Sequence, residues 1–132
     1  MKVRGVGSDI VEVARIEHAV ARWGESFVTR VFTRAEDERA RHPRVRSMRL
    51  AARFAAKEAV MKALGLGWRA MAWHEIEVVN DPLGKPMVML WGGARAAAQE
   101  QGISDVLISL SHTHELAFAS AIAVSSHEGG LG

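Results

Sequence analysis

The chain has 132 residues, 48% hydrophobic and 24% charged, which suffices for one domain around one core. Cysteine is absent, excluding a disulfide framework, a thiolate metal site and a cysteine nucleophile, and the net charge is a modest +2. No signal-peptide core opens the chain and the longest apolar run, Leu116 to Val124, is too short to span a bilayer. A cytoplasmic protein with no membrane partner is expected.

In chain order, Val3 to Gly7 reads as a strand running into a turn. Asp9 then precedes a helix predicted from Ile10 to Trp23, with Glu12 at the spacing of a capping box, so capping is one role open to Asp9. Val13, Ile16, Val20 and Trp23 mark its inward stripe, and Arg15 and Arg22 share a more polar side. Gly24 ends that helix. Phe27 to Phe32 continues as a short helix or extended connector, and Thr33-Arg-Ala-Glu36 is a capping box for a short helix reaching about Arg41. His42-Pro43 breaks the chain.

A long helix is predicted over Arg44 to Leu64, closed by Gly65 at a left-handed C-cap. Leu50, Phe54, Lys57, Met61 and Leu64 share one face, and Ala52, Ala55, Ala56, Ala59 and Ala63 form a second, small-residue face. A helix apolar on two sides is buried. Glu58 and Lys62 stand at i,i+4, which allows an ordinary helix ion pair or a partly desolvated functional one. Arg39, Arg41, Arg44, Arg46, Arg49 and Arg53 follow one another with no acid between Glu38 and Glu58. Such a run suits an anion: phosphate, an acidic protein or nucleic acid.

Beyond Gly65 comes a loop bearing glycine and tryptophan to Trp73, then Glu75 to Asn80 and Lys85 to Trp91 as a hairpin about the turn Asp81 to Gly84. A short helix is predicted from Ala94 to Gln101, followed by strands Asp105 to Ser111 and Leu116 to Val124. Residues 1–124 are expected to form a single domain and 125–132 a flexible tail. The order argues α+β, an antiparallel sheet packed on a long central helix. The apolar residues at nearly every strand position exceed what a few helices can cover, so self-association is expected.

No Walker A loop, nucleophile elbow or His/Cys zinc spacing occurs, and Gly5-Val-Gly7 alone does not make a nucleotide site. What remains is Asp9, Glu58, Lys62, the arginine run and His112 at a strand end. Two carboxylates beside a lysine and arginines suit magnesium-assisted chemistry on a phosphorylated ligand.

The pieces GVGSDIVEVARI (5–16), FAAKEAVMKALG (54–65), IEVVNDPLGKP (76–86) and SLSH (109–112) together resemble the holo-acyl-carrier-protein synthases, the small bacterial-type 4′-phosphopantetheinyl transferases. The resemblance implies transfer of the phosphopantetheine arm of coenzyme A to a serine of apo acyl carrier protein, releasing adenosine 3′,5′-bisphosphate. It implies Mg²⁺ ligands at Asp9 and Glu58, and Lys62 on the phosphates, with Glu58 the candidate to take the serine proton. It places coenzyme A contacts at Arg53, Lys62, Gly65, Pro86 and His112, and carrier-protein contacts at Arg15 and Arg22. It also implies the fold of that family and a homotrimer with sites between chains. Thr113, His74-Glu75 and Leu66 depart from the family's usual residues without removing a metal ligand. A non-catalytic basic module gripping nucleic acid would leave Asp9, Glu58 and Lys62 unexplained, so no nucleic-acid partner is expected.

Overall fold

The computed structural model describes residues 1–67 and 71–126. Strand β1 (Lys2–Glu12) leads into helices α1 (Val13–Trp23), α2 (Glu25–Val31), α3 (Arg34–Arg39) and the long α4 (Arg46–Ala63). A short 3₁₀ turn at Trp73–Glu75 precedes the hairpin β2 (Ile76–Asn80) and β3 (Pro86–Leu90). Helix α5 (Gly92–Glu100) and strands β4 (Asp105–His112) and β5 (Leu116–Ser125) complete the α+β order. The strands form two antiparallel sheets, β1-β5-β4 and the β2-β3 hairpin, where one had been expected.

The short helix α3 begins as its sequence demands: Thr33 Oγ1 accepts from the Glu36 N–H, and Glu36 accepts from the Thr33 N–H. Helix α4 ends on Leu64, with Gly65 left-handed at φ 70° and the N–H groups of Gly65 and Leu66 donating to the carbonyls of Lys62 and Met61. That Schellman pattern satisfies carbonyls the helix would otherwise strand.

The first helix starts later than its pattern suggests. Residues 10–12 stay extended because Ile10 pairs with Phe118, Val11 with Ala117 and Glu12 with Leu116. Ile10 is exposed while Val11 is buried, so the two-residue period of a strand wins over the helical stripe. Asp9 therefore caps nothing. It lies inside β1 opposite Ala119, and the N-cap of α1 is Glu12, whose side chain makes no capping bond. At the other end Ser125 still belongs to β5, so the expected tail starts too early by that residue, and 127–132 lie outside the described residues. The loop positions Trp68, Arg69 and Ala70 also lie outside them.

Both predicted faces of α4 are buried. Its alanine face lies on β1 and β5, and there Gly5 and Gly7 have a purpose. A Cβ at Gly5 would land on the carbonyl oxygen of Ala63, and one at Gly7 on that of Ala59. The two glycines cut a notch in β1 that seats the helix backbone against the strand. On the far side of the same sheet Val6, Ile10, Leu107, Leu116, Phe118 and Ile122 are all exposed.

Candidate active site

The notch decides where the next residues of β1 fall. Beyond Gly7, Ser8 and Asp9 come to lie beside the C-terminal half of α4. Lys62 Nζ donates to the Ser8 carbonyl at 2.9 Å and to Asp9 Oδ1 at 3.2 Å. Among the described residues, the i,i+4 ion pair of Glu58 with Lys62 does not form; the lysine reaches across to the strand instead. Its side chain is 57% exposed against 15% for Asp9, so the pair contributes little stability and exchanges partners readily. Asp9 Oδ2 is buried and has no hydrogen-bond partner.

Glu58 completes the group. Burial pushes its carboxyl up to about 7, and the adjacent Asp9 carboxylate adds to the shift, while Arg15 and Lys62 pull the other way. Two acids pressed together, one bearing an orphaned buried oxygen, form a donor set suited to a hard divalent cation. Among the described residues no third His, Cys, Asp or Glu joins them, so further ligands would come from solvent or substrate oxygens.

Arg15, expected on a docking surface, lies with its guanidinium 5.5 Å from the centroid of the Phe54 ring, which stacks on Trp73 at 4.8 Å. Its charge also reaches Glu58. Arg22 lies 4.8 Å over the ring of exposed Trp23 at the end of α1. Gly65 closes α4 just past Lys62.

Among the described residues, the remaining candidates make no hydrogen bond or ion pair with the two carboxylates. Arg53 is buried and donates over 3.4 Å to the Arg49 carbonyl and to Asn80 Oδ1. Burial draws its pKa down, Arg39 and Arg49 act in the same sense, and Glu36 opposes them. Asn80 pairs across the hairpin with Pro86, so Arg53 and Pro86 share one region on the β2-β3 side. His112 is exposed at the end of β4, opposite Ala117. The arginine run is less free than its sequence suggests. Asp37, on the helix before it, takes hydrogen bonds from Arg41 at 2.9 Å and Arg46 at 3.0 Å. Burial works against the Asp37 charge, but these two guanidinium groups hold its carboxyl below the usual range.

Sequence reasoning missed three polar side chains. Asn80 is one. Glu75 is another: its Oε1 accepts from the Ala72 and Ala94 N–H groups, satisfying an orphan donor in the first turn of α5. The third is Glu36, whose carboxylate forms an ion pair with Lys57 at 2.8 Å, both side chains fully buried. Lys57 gave a signal, as a lone cation on an apolar face, but its partner lies on another helix.

Known proteins are similar to this chain in sequence and in fold. The family model described as the 4′-phosphopantetheinyl transferase superfamily matches residues 5–119. The chain is 47% identical over 126 residues to the holo-[acyl-carrier-protein] synthase of Desulforudis audaxviator, covering 96% of each chain. The crystal structure of the Neisseria meningitidis holo-[acyl-carrier-protein] synthase superposes with a TM-score of 0.83 at 35% identity, covering 93% of this chain and 99% of that one. The Helicobacter pylori synthase in complex with coenzyme A superposes at 0.79 with 28% identity, covering 90% and 99%.

Proposed function

The chain belongs to the holo-[acyl-carrier-protein] synthases of the 4′-phosphopantetheinyl transferase superfamily, and from that premise we propose that it transfers 4′-phosphopantetheine from coenzyme A to a serine of apo acyl carrier protein in the cytoplasm. One observation carries the reading: Asp9 from β1 and Glu58 from α4 face each other beside Lys62, with Asp9 Oδ2 lacking any protein partner.

Asp9 and Glu58 would hold Mg²⁺, which when bound offsets the negative charge of the pyrophosphate bridge and makes its phosphorus easier to attack. Glu58 takes the proton from the serine hydroxyl. The serine oxygen forms a bond to the phosphorus that bears pantetheine, the bridging P–O bond breaks, and adenosine 3′,5′-bisphosphate leaves with the bonding electrons. Lys62, mostly exposed, meets the charge that gathers on that leaving group.

Arg53, Gly65, Pro86 and His112 bind coenzyme A. Some of these contacts are assigned to a neighbouring protomer. Its assembly is a homotrimer, supported by the exposed apolar face of β1-β5-β4. Arg15 and Arg22 receive the acidic carrier protein.

The test is direct. Protein, coenzyme A, Mg²⁺ and an apo carrier protein are mixed and the carrier is weighed; a phosphopantetheine mass gain that disappears with EDTA is expected. An unchanged carrier mass, with salt-sensitive nucleic-acid binding in its place, would replace the transferase by a binding module. Light scattering gives the assembly, and a stable, active monomer would remove the shared site.

A further inference from the structure

Helix α4 lies on the β1-β5-β4 sheet and carries six buried alanines, Ala51, Ala52, Ala55, Ala56, Ala59 and Ala63, of which Ala59 and Ala63 rest on the glycine notch of β1. Such a surface packs closely but has few knobs to stop a helix from rolling about its axis. The opposite side of α4 is different. There Lys57 Nζ donates to Glu36 Oε1 at 2.8 Å, to the Trp73 carbonyl at 3.2 Å and to the Ile76 carbonyl at 2.5 Å, which uses all three of its donors. Glu36 in turn accepts from the Thr33 N–H at 2.9 Å and from the Val78 N–H at 2.7 Å. One ammonium and one carboxylate thus tie α4 to α3, to the 3₁₀ turn and to β2, with neither side chain exposed to solvent.

Stability is a poor reason for such a pair. Apolar side chains of similar volume in the same space commonly serve as well or better, because both charges must be stripped of water. What apolar packing does not supply is direction. Five hydrogen bonds converge on two side chains and permit one orientation of the helix at residue 57. Glu58 is the next residue, and its angle around the helix is fixed with it.

We propose that the buried Lys57–Glu36 pair is a positioning device that sets the rotation of α4 and so holds Glu58 toward Asp9 and Lys62, without touching substrate. The proposal rests on the transferase reading above. The glycine notch in β1 fixes the helix from one side and the ion pair from the other. With the pair gone, α4 is free to roll by a fraction of a side-chain width, and transfer chemistry is sensitive on that scale: a misplacement of ~1 Å costs about 10²-fold.

The test replaces both charges at once with Lys57→Met and Glu36→Gln, which leaves no buried ion unpaired. Urea unfolding, kcat and KM for coenzyme A, and Mn²⁺ binding followed by the free-ion electron paramagnetic resonance signal are measured on variant and parent. Expected are a cooperative unfolding transition close to the parent's, kcat per folded molecule lower by at least about tenfold, KM for coenzyme A within about twofold, and weaker Mn²⁺ binding. A folded double variant with the parent's kcat and Mn²⁺ affinity overturns the proposal. If the double variant does not fold, Glu36→Asp decides, since it keeps the charge and shortens the reach by one methylene. Lower kcat in its folded fraction supports positioning, and parental kcat there overturns it. The parent's own transfer activity and Mn²⁺ binding test the transferase reading, and variant-to-parent ratios test the positioning, so the two fail separately.

Discussion

Helix α4 carries two lysines that each meet a carboxylate, and the two pairs are opposites. Lys57 and Glu36 are sealed from solvent, with every ammonium donor used. Lys62 is mostly exposed, and the Asp9 it meets keeps one buried oxygen without a hydrogen-bond partner. The same chemical pair on one helix is saturated in one place and left incomplete in the other, and the incomplete one is where the proposed function needs a ligand. Burial alone does not separate them, since Asp9 is itself largely covered; unfilled hydrogen-bonding capacity does.

The comparison breaks most sharply at the incomplete pair. Asp9→Ala and Glu58→Gln are each expected to lower transfer by at least about 10³-fold while the circular dichroism melt stays near the parent's, because no cap is lost and the Lys62–Asp9 pair, with its lysine mostly exposed, contributes little stability. Well-folded Asp9→Ala protein with normal turnover would falsify the metal-site reading. At the saturated pair the loss moves into stability: Lys57→Ala leaves the Glu36 charge buried and alone, and urea unfolding should show a loss of about 3–5 kcal/mol. Lys62→Ala reverses the pattern, with a stability change below about 1 kcal/mol and turnover reduced by about 10–100-fold, mainly in kcat.

Proton linkage sharpens the contrast. Glu58 has its folded-state pKa raised from 4.5 to about 7, so between those values the folded chain keeps a proton that the unfolded chain has lost. In cation-free buffer this contribution to stability is present below the lower value and lost as pH rises through the upper one. Asp37 runs the other way: its pKa is depressed, and its contribution is present at neutral pH and lost in acid. Unfolding midpoints across that range should fall with rising pH in the parent relative to Glu58→Gln, and Mg²⁺ should remove the difference. Equal profiles with and without the carboxyl would mean that Glu58 titrates alike in the folded and unfolded chain. The smallest effect is expected at the rim, where Arg15→Glu with Arg22→Glu raises the carrier-protein KM by about tenfold and makes it less salt-dependent, with coenzyme A binding nearly unchanged. An unchanged carrier KM would place docking elsewhere.

Much of this was legible in the sequence, for identifiable reasons. Local chemistry announced the Thr33-to-Glu36 cap, the Gly65 stop, the hairpin around Asp81 to Gly84 and both faces of α4, because each depends on residues within a few positions of one another. Asp9, Glu58 and Lys62 were nameable through family resemblance, but their meeting depends on a notch whose glycines make sense only once Ala59 and Ala63 lie against them. The failures share a cause. Extended backbone from Ile10 to Glu12 is imposed by β5, at the other end of the chain. Neither the Glu36–Lys57 pair nor the neutralisation of Arg46 by Asp37 leaves a periodic trace, since partners on different elements have no fixed spacing.

The pairing of β1 with β5 also has a consequence for how the enzyme is made. Asp9 is synthesised about a hundred residues ahead of the strand, residues 116–125, that pairs with its own. At ordinary synthesis rates the aspartate waits on the order of ten seconds for its neighbour, and a pairing so distant in sequence is slow to form even then. The α3–α4–β2 hub, built from residues 33–78, can assemble meanwhile. A chain released before residues 116–125 are made therefore lacks the strand that pairs with β1 beside Asp9, and the proposed site should not form in it.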